Sequence, residues 1–580
     1  MSIKKYGIYL AYPPFVDLRS QGLGRHLAEF LKALQERQDV CFVLACPSWM
    51  KPSLIALFDD AKVQYDRFEI ISPRKQPLLL GLLNIFRIIK RPVVGKYQLG
   101  TKYQFIKNLV LKLMYYVEKT VVSTHSKILL ATLLIIFLPL FLVVGLVVIL
   151  FRFFVGICAF TKKSSFAKSL AKKTKISAHI TVNSSTSSVF LAKNFLVFMK
   201  EKAIDKIYDF IDSLKDSWIA LELFKILRTN EAMLMNNLIN SRSDISAWYC
   251  PTAFWPDFNK VKAPRLMCVP DVVMTDFPIA FSLLRSNRAL DSFMQIEKAI
   301  EGGQHFVTYS EEVKWRTLTQ RYHIDPEKIF VVLHGDNSSD KLFSFSNTTS
   351  QNERVITTFC CNLLKDALFK STNKMNRGIF VDTSNLKFMF YASQFRPNKN
   401  VISLLKAYEY LLKRRHIPHK LILTGNSKVF PEVQEFIKSH NLEYDVLFLH
   451  GLSTQQLAAC YKLADLAVNP SLSEGGCPFT LTEALSVDTP VVMARIPVTL
   501  EVIKDPDLDK EMLFDPYDWR DMADRIEWAL KNREELLAKQ KIFYSILEKR
   551  TWEVVVDEYI SILDHISTKD LGEENLMDAA

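Results

Sequence analysis

The chain has 580 residues, a formal net charge of +12 and nine cysteines. That length excludes a single hydrophobic core, and the cysteines, lacking Cys-x-x-Cys or Cys/His metal spacing, favour a reduced, cytosol-facing protein. The positive charge admits three partners: nucleic acid, an anionic membrane surface or a phosphorylated substrate.

In chain order, the first element is a strand, Tyr6–Ala11, which follows Lys4-Lys5 without the form of a secretory signal. Pro13-Pro14 then leads to Gly22-Leu-Gly24-Arg25-His26 and an amphipathic helix over Leu27–Leu34. Two glycines before a helix either let backbone approach an anion or simply make a turn. Strands are expected at Val40–Cys46 and Val63–Ile71.

From Leu78 the composition changes. No acidic residue occurs between Glu118 and Glu201, and this basic tract encloses the uncharged run Ile128–Phe151, followed by Arg152 and the apolar Phe153–Phe160. An apolar run longer than ~20 residues spans a bilayer, so residues 78–200 are expected to form a basic, membrane-embedded insertion with its apolar core at 128–160. Lys127 on one flank and Lys162, Lys163 and Lys168 on the other place both flanks on the cytoplasmic side. Strands such as Ala247–Cys250 belong with those before the insertion, which favours a re-entrant hairpin over a single span. Anionic lipids are the expected partner of the lysines; no nucleic-acid recognition module accompanies them.

The first domain then resumes over 201–336, with aromatic and proline-rich loops at Trp248–Pro256 and Val269–Pro278 and a closing strand, Ile329-Phe-Val-Val-Leu-His334-Gly335-Asp336. Residues 337–384 read as linker and insertion. A second α/β domain over 385–545 opens at Leu386 with a strand feeding Phe395-Arg396-Pro-Asn-Lys399-Asn400, followed by strands at Lys420–Thr424 and Val446–Leu449, the latter before His450-Gly451. A helix over 546–567 and an acidic, disordered tail over 568–580 complete the chain.

The most informative stretch is Asn469-Pro-Ser-Leu-Ser-Glu474-Gly475-Gly476-Cys-Pro-Phe479-Thr480-Leu-Thr-Glu483. It reads as a strand, a glycine and proline turn and a helix start, at the carboxyl end of a parallel strand where open α/β sheets bind ligands. Free amides at a helix start suit a phosphate. Glu483 also fits a capping box with Thr480.

This stretch resembles the signature of the retaining glycosyltransferases of family four, although the interval between Glu474 and Glu483 is one residue longer than in that family. The resemblance covers about 1–75 and 245–565. It implies a GT-B fold, two Rossmann-like domains facing a cleft, here with a hydrophobic membrane helix or hairpin inserted in the first. It further implies transfer of a sugar from a nucleotide-sugar donor to a hydroxyl with retention, and no metal or other cofactor. By the resemblance, Glu474, Lys399 and Arg396 are the catalytic candidates. Gly22, Gly24, Gly475, Gly476, Phe479, Thr480, Glu483 and Gly451 are the donor-binding candidates, Glu483 on the ribose, and Asp271 is an acceptor candidate. Three departures accompany it: Pro270 where a histidine precedes the aspartate, His334 where an asparagine precedes the glycine, and Arg396 two positions from the usual arginine. The membrane insertion suggests a lipid-linked saccharide or glycolipid acceptor, with the catalytic domains on the cytoplasmic face. The alternative from another class is an inactive membrane scaffold on the same fold.

Overall fold

Apolar runs such as Val40-Cys-Phe-Val-Leu-Ala45, buried but for half-buried Cys41, and Phe388-Met-Phe-Tyr391, buried throughout, have the pattern of parallel strands covered on both faces. The computed structural model describes residues 3–14, 16–20, 22–73, 80, 218–283, 288–337, 350–373, 385–427 and 430–577. Among them, seven strands form one parallel sheet: β1 (Lys4–Tyr9), β2 (Val40–Ala45), β3 (Phe68–Ile71), β4 (Ala247–Cys250), β5 (Arg265–Cys268), β6 (His305–Thr308) and β7 (Ile329–Val331), ordered β3-β2-β1-β4-β5-β6-β7. Six more, β8 (Phe388–Tyr391), β9 (Lys420–Leu423), β10 (Val446–Phe448), β11 (Leu466–Asn469), β12 (Val491–Ala494) and β13 (Leu513–Phe514), form a second, ordered β10-β9-β8-β11-β12-β13. Every strand pair is parallel. In each sheet the order reverses once, at β1/β4 and at β8/β11, and such reversals open the crevices in which α/β proteins bind ligands.

The helices that concern the site are α1 (Gly22–Ala33), α2 (Ser350–Asn373), α3 (Thr480–Leu485), α4 (Pro497–Val502), α5 (Arg533–Leu547) and α6 (Trp552–Met577). Helix α6 returns to the first sheet. Tyr559 packs edge-on against Phe30 and Tyr249, with ring centroids 5.6 and 5.0 Å apart, and Asp564 pairs with Lys4 at 2.9 Å. By contact the chain divides into two units. The first holds both sheets: Met1–Cys46, Met50–Ser72 and Met235–Ala580. The second comprises Pro47–Trp49 and Pro73–Leu234, and in it the Glu231 carboxylate accepts the Ser48 amide at 2.6 Å.

Four expectations change. Helix α1 starts at Gly22 rather than Leu27, because a side chain at Gly24 would overlap the Leu18 carbonyl oxygen and the glycine lets this first turn seat there. Strand β3 starts at Phe68 rather than Val63; Lys62 is left-handed (φ 58°) and the Val63 amide turns back to the Phe58 carbonyl at 2.9 Å. Residues 337–384 are not only linker: α2 lies within them and buries Ile356, Cys360, Leu364, Ala367 and Leu368 in the second domain's core. The Ser, Asn and Thr content obscured that helical spacing. Helix α6 continues past Thr568, where disorder is expected, to Met577. The insertion 78–200, including Ile128–Phe160, lies outside the described residues apart from Leu80; among the described residues, no helix is long and apolar enough to cross a membrane.

Candidate active site

Lys399 and Glu474 come from the two strands that flank the reversal of the second sheet. β8 runs through Phe395 and Arg396 into a single 3-10 turn, Pro397–Lys399, and β11 runs into the Pro470–Phe479 loop. The loop is strapped to that turn. The Leu472 amide donates to the Asn398 carbonyl at 2.8 Å, Asn398 Nδ2 to the Ser473 carbonyl at 3.0 Å, and the Tyr391 and Ser471 hydroxyls meet at 3.2 Å. These bonds hold the Lys399 ammonium against the Glu474 carboxylate in an ion pair whose members are only 18 % and 15 % exposed. Burial works against the Lys399 charge, yet the Glu474 carboxylate dominates with its neighbours and holds the ammonium above its ordinary pKa.

Asp271, from the loop after β5, reaches the same place. Burial pushes its carboxyl up, the Glu474 charge adds to this, and Lys399 and Arg396 oppose it. The sequence-expected quartet Glu474, Lys399, Arg396 and Asp271 is therefore brought together, with Arg396 exposed at its edge.

The loop also touches the first sheet's loops. A side chain at Gly475 would overlap the Pro270 carbonyl oxygen, and one at Gly476 would come within 2.9 Å of Tyr309 Cβ. Ser310 Oγ donates to the Gly475 carbonyl at 2.8 Å and Ser473 Oγ to Asp276 at 3.2 Å. From α4, the Glu501 carboxylate accepts the amides of Glu311 and Glu312 at 2.9 and 2.7 Å. Sequence reasoning missed Ser310 and Glu501, and no local motif announces them.

Helix α3 corrects one reading. Phe479, not Thr480, occupies the N-cap position, without a side-chain cap; Thr480 Oγ1 instead accepts Asn469 Nδ2 at 3.1 Å, so the capping box does not form. Glu483 is left to face Arg25 of α1, Nη1 to Oε1 3.6 Å. Its burial pushes its carboxyl up, and the Arg25 charge and the Tyr461 hydroxyl oppose that shift. The ring of Phe479 packs on His334 (4.6 Å between centroids), which packs on Tyr309 (3.9 Å), while His26 meets Trp552 edge-on at 4.9 Å. Burial pushes His26 down to about 4 and His334, with the further influence of His26 and Arg550, to about 3. Both are neutral at pH 7.

Of the remaining donor candidates, Gly22 opens α1 with free space at its Cα, Gly24 serves the packing on Leu18, and Gly451 is left-handed (φ 63°) with nothing beside it. Among the described residues, no group of three or more His, Cys, Asp or Glu side chains could hold a metal ion.

Residues 376–542 match the family described as glycosyl transferases group 1. Over 221 residues the chain is 25% identical to the O-antigen chain mannosyltransferase RfbU of Salmonella typhimurium, covering 37% of this chain and 50% of that one. Over 121 residues it is 32% identical to the putative glycosyltransferase EpsF of Bacillus subtilis, covering 21% and 30%. The chain thus spans half or less of the length of these relatives. Among solved structures it is similar to the N-terminal domain of Candida albicans trehalose-6-phosphate phosphatase, with a TM-score of 0.51, 11% identity and coverage of 98% and 97%. Two parallel α/β domains with their strand-end loops meeting are the GT-B arrangement.

Proposed function

We propose that the protein is a membrane-associated, retaining, metal-independent glycosyltransferase of family four, which moves a sugar from a nucleotide-sugar donor to a hydroxyl of a lipid-linked saccharide or glycolipid. The observation that carries this reading is the buried Lys399–Glu474 pair at the strand-order reversal of the second sheet, inside the matched residues 376–542. A cation fixed beside a carboxylate has two uses in such a transfer. The Lys399 ammonium, with Arg396, meets charge developing on the departing diphosphate, where a prearranged group needs no reorganisation. The Glu474 carboxylate accepts hydroxyls of the sugar and orients it.

Glu483 serves the ribose, the loop amides around Gly475 and Gly476 and the first-domain glycines Gly22 and Gly24 serve the diphosphate, and the open turn at Gly451 serves the base. Asp271 stands on the acceptor side, against the loop that carries Glu474. Contact of the two domains' loops excludes water, which keeps transfer ahead of hydrolysis. The uncharged run Ile128–Phe151 and its basic flanks support a membrane-borne acceptor and a cytoplasmic-face location.

The test is a transfer assay with the full chain in detergent, offered UDP- and GDP-sugars with lipid-linked and water-soluble saccharide acceptors, with and without chelator. Transfer that needs the lipid-linked acceptor and survives chelation supports the whole reading. Equal use of soluble acceptors removes the lipid part, and loss on chelation with rescue by magnesium removes metal independence. Absence of donor binding by a folded protein favours the inactive scaffold.

A further inference from the structure

We propose that Arg25 is a phosphate-sensing latch of the donor site: in the empty cleft it neutralises Glu483, and it moves onto the diphosphate of an arriving nucleotide, releasing Glu483 to the ribose. The inference rests on the donor reading above.

Lys399 faces Glu474 and Arg25 faces Glu483, while Asp271 adds a third carboxylate in the field of Lys399 and Arg396, so the site's cations are already matched by carboxylates. A diphosphate brings about two further negative charges, and its favourable binding needs cations that can turn to it from those carboxylates. Exposed Arg396 supplies one; a second requires one of the pairs to open.

The two pairs are unequal. Lys399 and Glu474 are both largely buried and strapped together by backbone bonds, so opening that pair strands a desolvated charge on each side. The Arg25 side chain is 49 % exposed, its contact with Glu483 is long at 3.6 Å, and water can take over the guanidinium as it swings. Arg25 is therefore the cation that can leave. Gly24, its neighbour, is packed closely on the Leu18 carbonyl, which assigns the motion to the side chain. A guanidinium also suits the task, since its planar fork can bridge two phosphate oxygens.

Release has a second consequence. Glu483 is 11 % exposed, and its burial is opposed first by the Arg25 charge and then by the Tyr461 hydroxyl. Once Arg25 leaves, the carboxylate keeps only Tyr461 and needs further hydrogen bonds, which two adjacent ribose hydroxyls provide. Phosphate recognition and ribose recognition are thereby linked: a nucleoside alone must compete with Arg25, whereas a nucleoside diphosphate draws Arg25 away.

The experiment compares affinities of UDP, GDP, uridine and guanosine for the wild-type full chain and for R25A and R25K, with thermal melting to confirm folding. For R25A we expect affinity for the preferred diphosphate to fall roughly tenfold or more, the scale of a lost charge-assisted hydrogen bond. Nucleoside affinity should be retained or raised, and R25K should fall between wild type and R25A for the diphosphate. Parallel losses for nucleoside and diphosphate would overturn the latch and leave Arg25 as a brace for Glu483; unchanged diphosphate affinity in R25A would overturn it outright. Should R25A not fold, the same comparison is made on R25K, where an unchanged preference for diphosphate over nucleoside overturns the proposal. A wild-type chain that binds neither diphosphate defeats the donor reading itself, an outcome distinct from those in which wild type binds and the variants fail to discriminate.

Discussion

The two halves of the candidate site are built in opposite ways. In the second domain, Lys399 and Glu474 are neighbours by construction, each at the end of a strand beside the same reversal and held by bonds from Asn398, Tyr391 and Ser471 within that domain. In the first domain, Arg25 at the start of α1 and Asp271, Tyr309 and Ser310 in loops follow three different strands, and each meets the second domain without a hydrogen bond to the others. The difference separates chemistry from closure. Losses in the second half should reach the transfer step whatever the first half does, and losses among the first half's contacts with the Glu474 loop should weaken the approach of the halves more than they weaken nucleotide binding, to which Arg25 alone of these four contributes directly.

The largest expected effect tests the prebuilt half. Lys399→Ala or Glu474→Ala should each lower kcat by roughly 10²–10³, the scale of one preorganised charge removed from a buried site. Because each variant strands the other's charge, the double variant should cost little more than either alone. Steady-state rates on the three variants decide this, and additive losses would mean that the two groups act separately.

Next in size is the contact itself. Gly475→Ala places a methyl where the Pro270 carbonyl oxygen lies, so the halves must part to admit it. Transfer should fall about tenfold to a hundredfold, as expected when geometry near the reacting atoms is displaced, while nucleotide affinity, measured by equilibrium titration, falls by less than the rate because the loop amides also serve the diphosphate. Loss of nucleotide affinity as large as the loss of rate would show that the loop is shaped for the donor alone and that the comparison between halves fails.

The aromatic cluster where the halves meet gives a pH signature. His26 and His334 are pushed down by burial to about 4 and about 3, against ~6.5 for an unfolded imidazole. Between these values the unfolded chain binds more protons than the folded one. Stability therefore falls as pH drops below about 6.5, by up to about 1.4 kcal/mol per pH unit for each histidine. Glu483 and Asp271, pushed up by burial, work in the opposite sense. The histidine contribution is accordingly read from the difference between wild type and His334→Asn in urea melts at pH 7 and pH 5.5. The variant should show the shallower loss, and equal slopes would mean that His334 protonates without penalty.

How much of this was legible before the structure follows the same division. Glu474, Phe479 and Glu483 lie on one continuous stretch, and Lys399 sits at the start of its helix; short-range spacing alone marks a strand, a turn and a helix there. Arg25 lies beside two glycines that were singled out, but its partner is hundreds of positions away in the chain. Ser310 and Glu501 carry no local pattern at all, since an amide-accepting carboxylate on one domain has meaning only against the exposed helix start of the other. The helix Ser350–Asn373 escaped for a different reason: its polar composition masked apolar residues at helical spacing, Ile356, Cys360, Leu364 and Ala367, which only the second domain's core reveals as one face. Thr480 and Glu483 satisfied the sequence rule for a capping box and did something else, because Asn469 and Arg25 offered each a tertiary partner.

The smallest effect bears most directly on closure. Glu501 belongs to the second domain, yet its two carboxylate oxygens accept the amides of Glu311 and Glu312, just ahead of the π-helical segment Val313–Arg321. A negative charge at a helix start contributes about 0.3–1 kcal/mol where water reaches it. Glu501→Ala should therefore destabilise the closed arrangement by about 1 kcal/mol, a change of roughly fivefold in its population. Glu501→Gln keeps one acceptor oxygen without the charge and should fall between. A fluorophore pair placed across the cleft would report the population, and raising the salt concentration should erode the wild-type advantage while leaving Glu501→Ala unmoved. If the closed population were identical in all three proteins, the hydrogen bonds Ser310–Gly475 and Ser473–Asp276, with the Phe479–His334 packing and the Arg25–Glu483 pair, would hold the halves together without Glu501. Closure would then depend on the loop that carries Glu474, and chemistry and closure would no longer be separable.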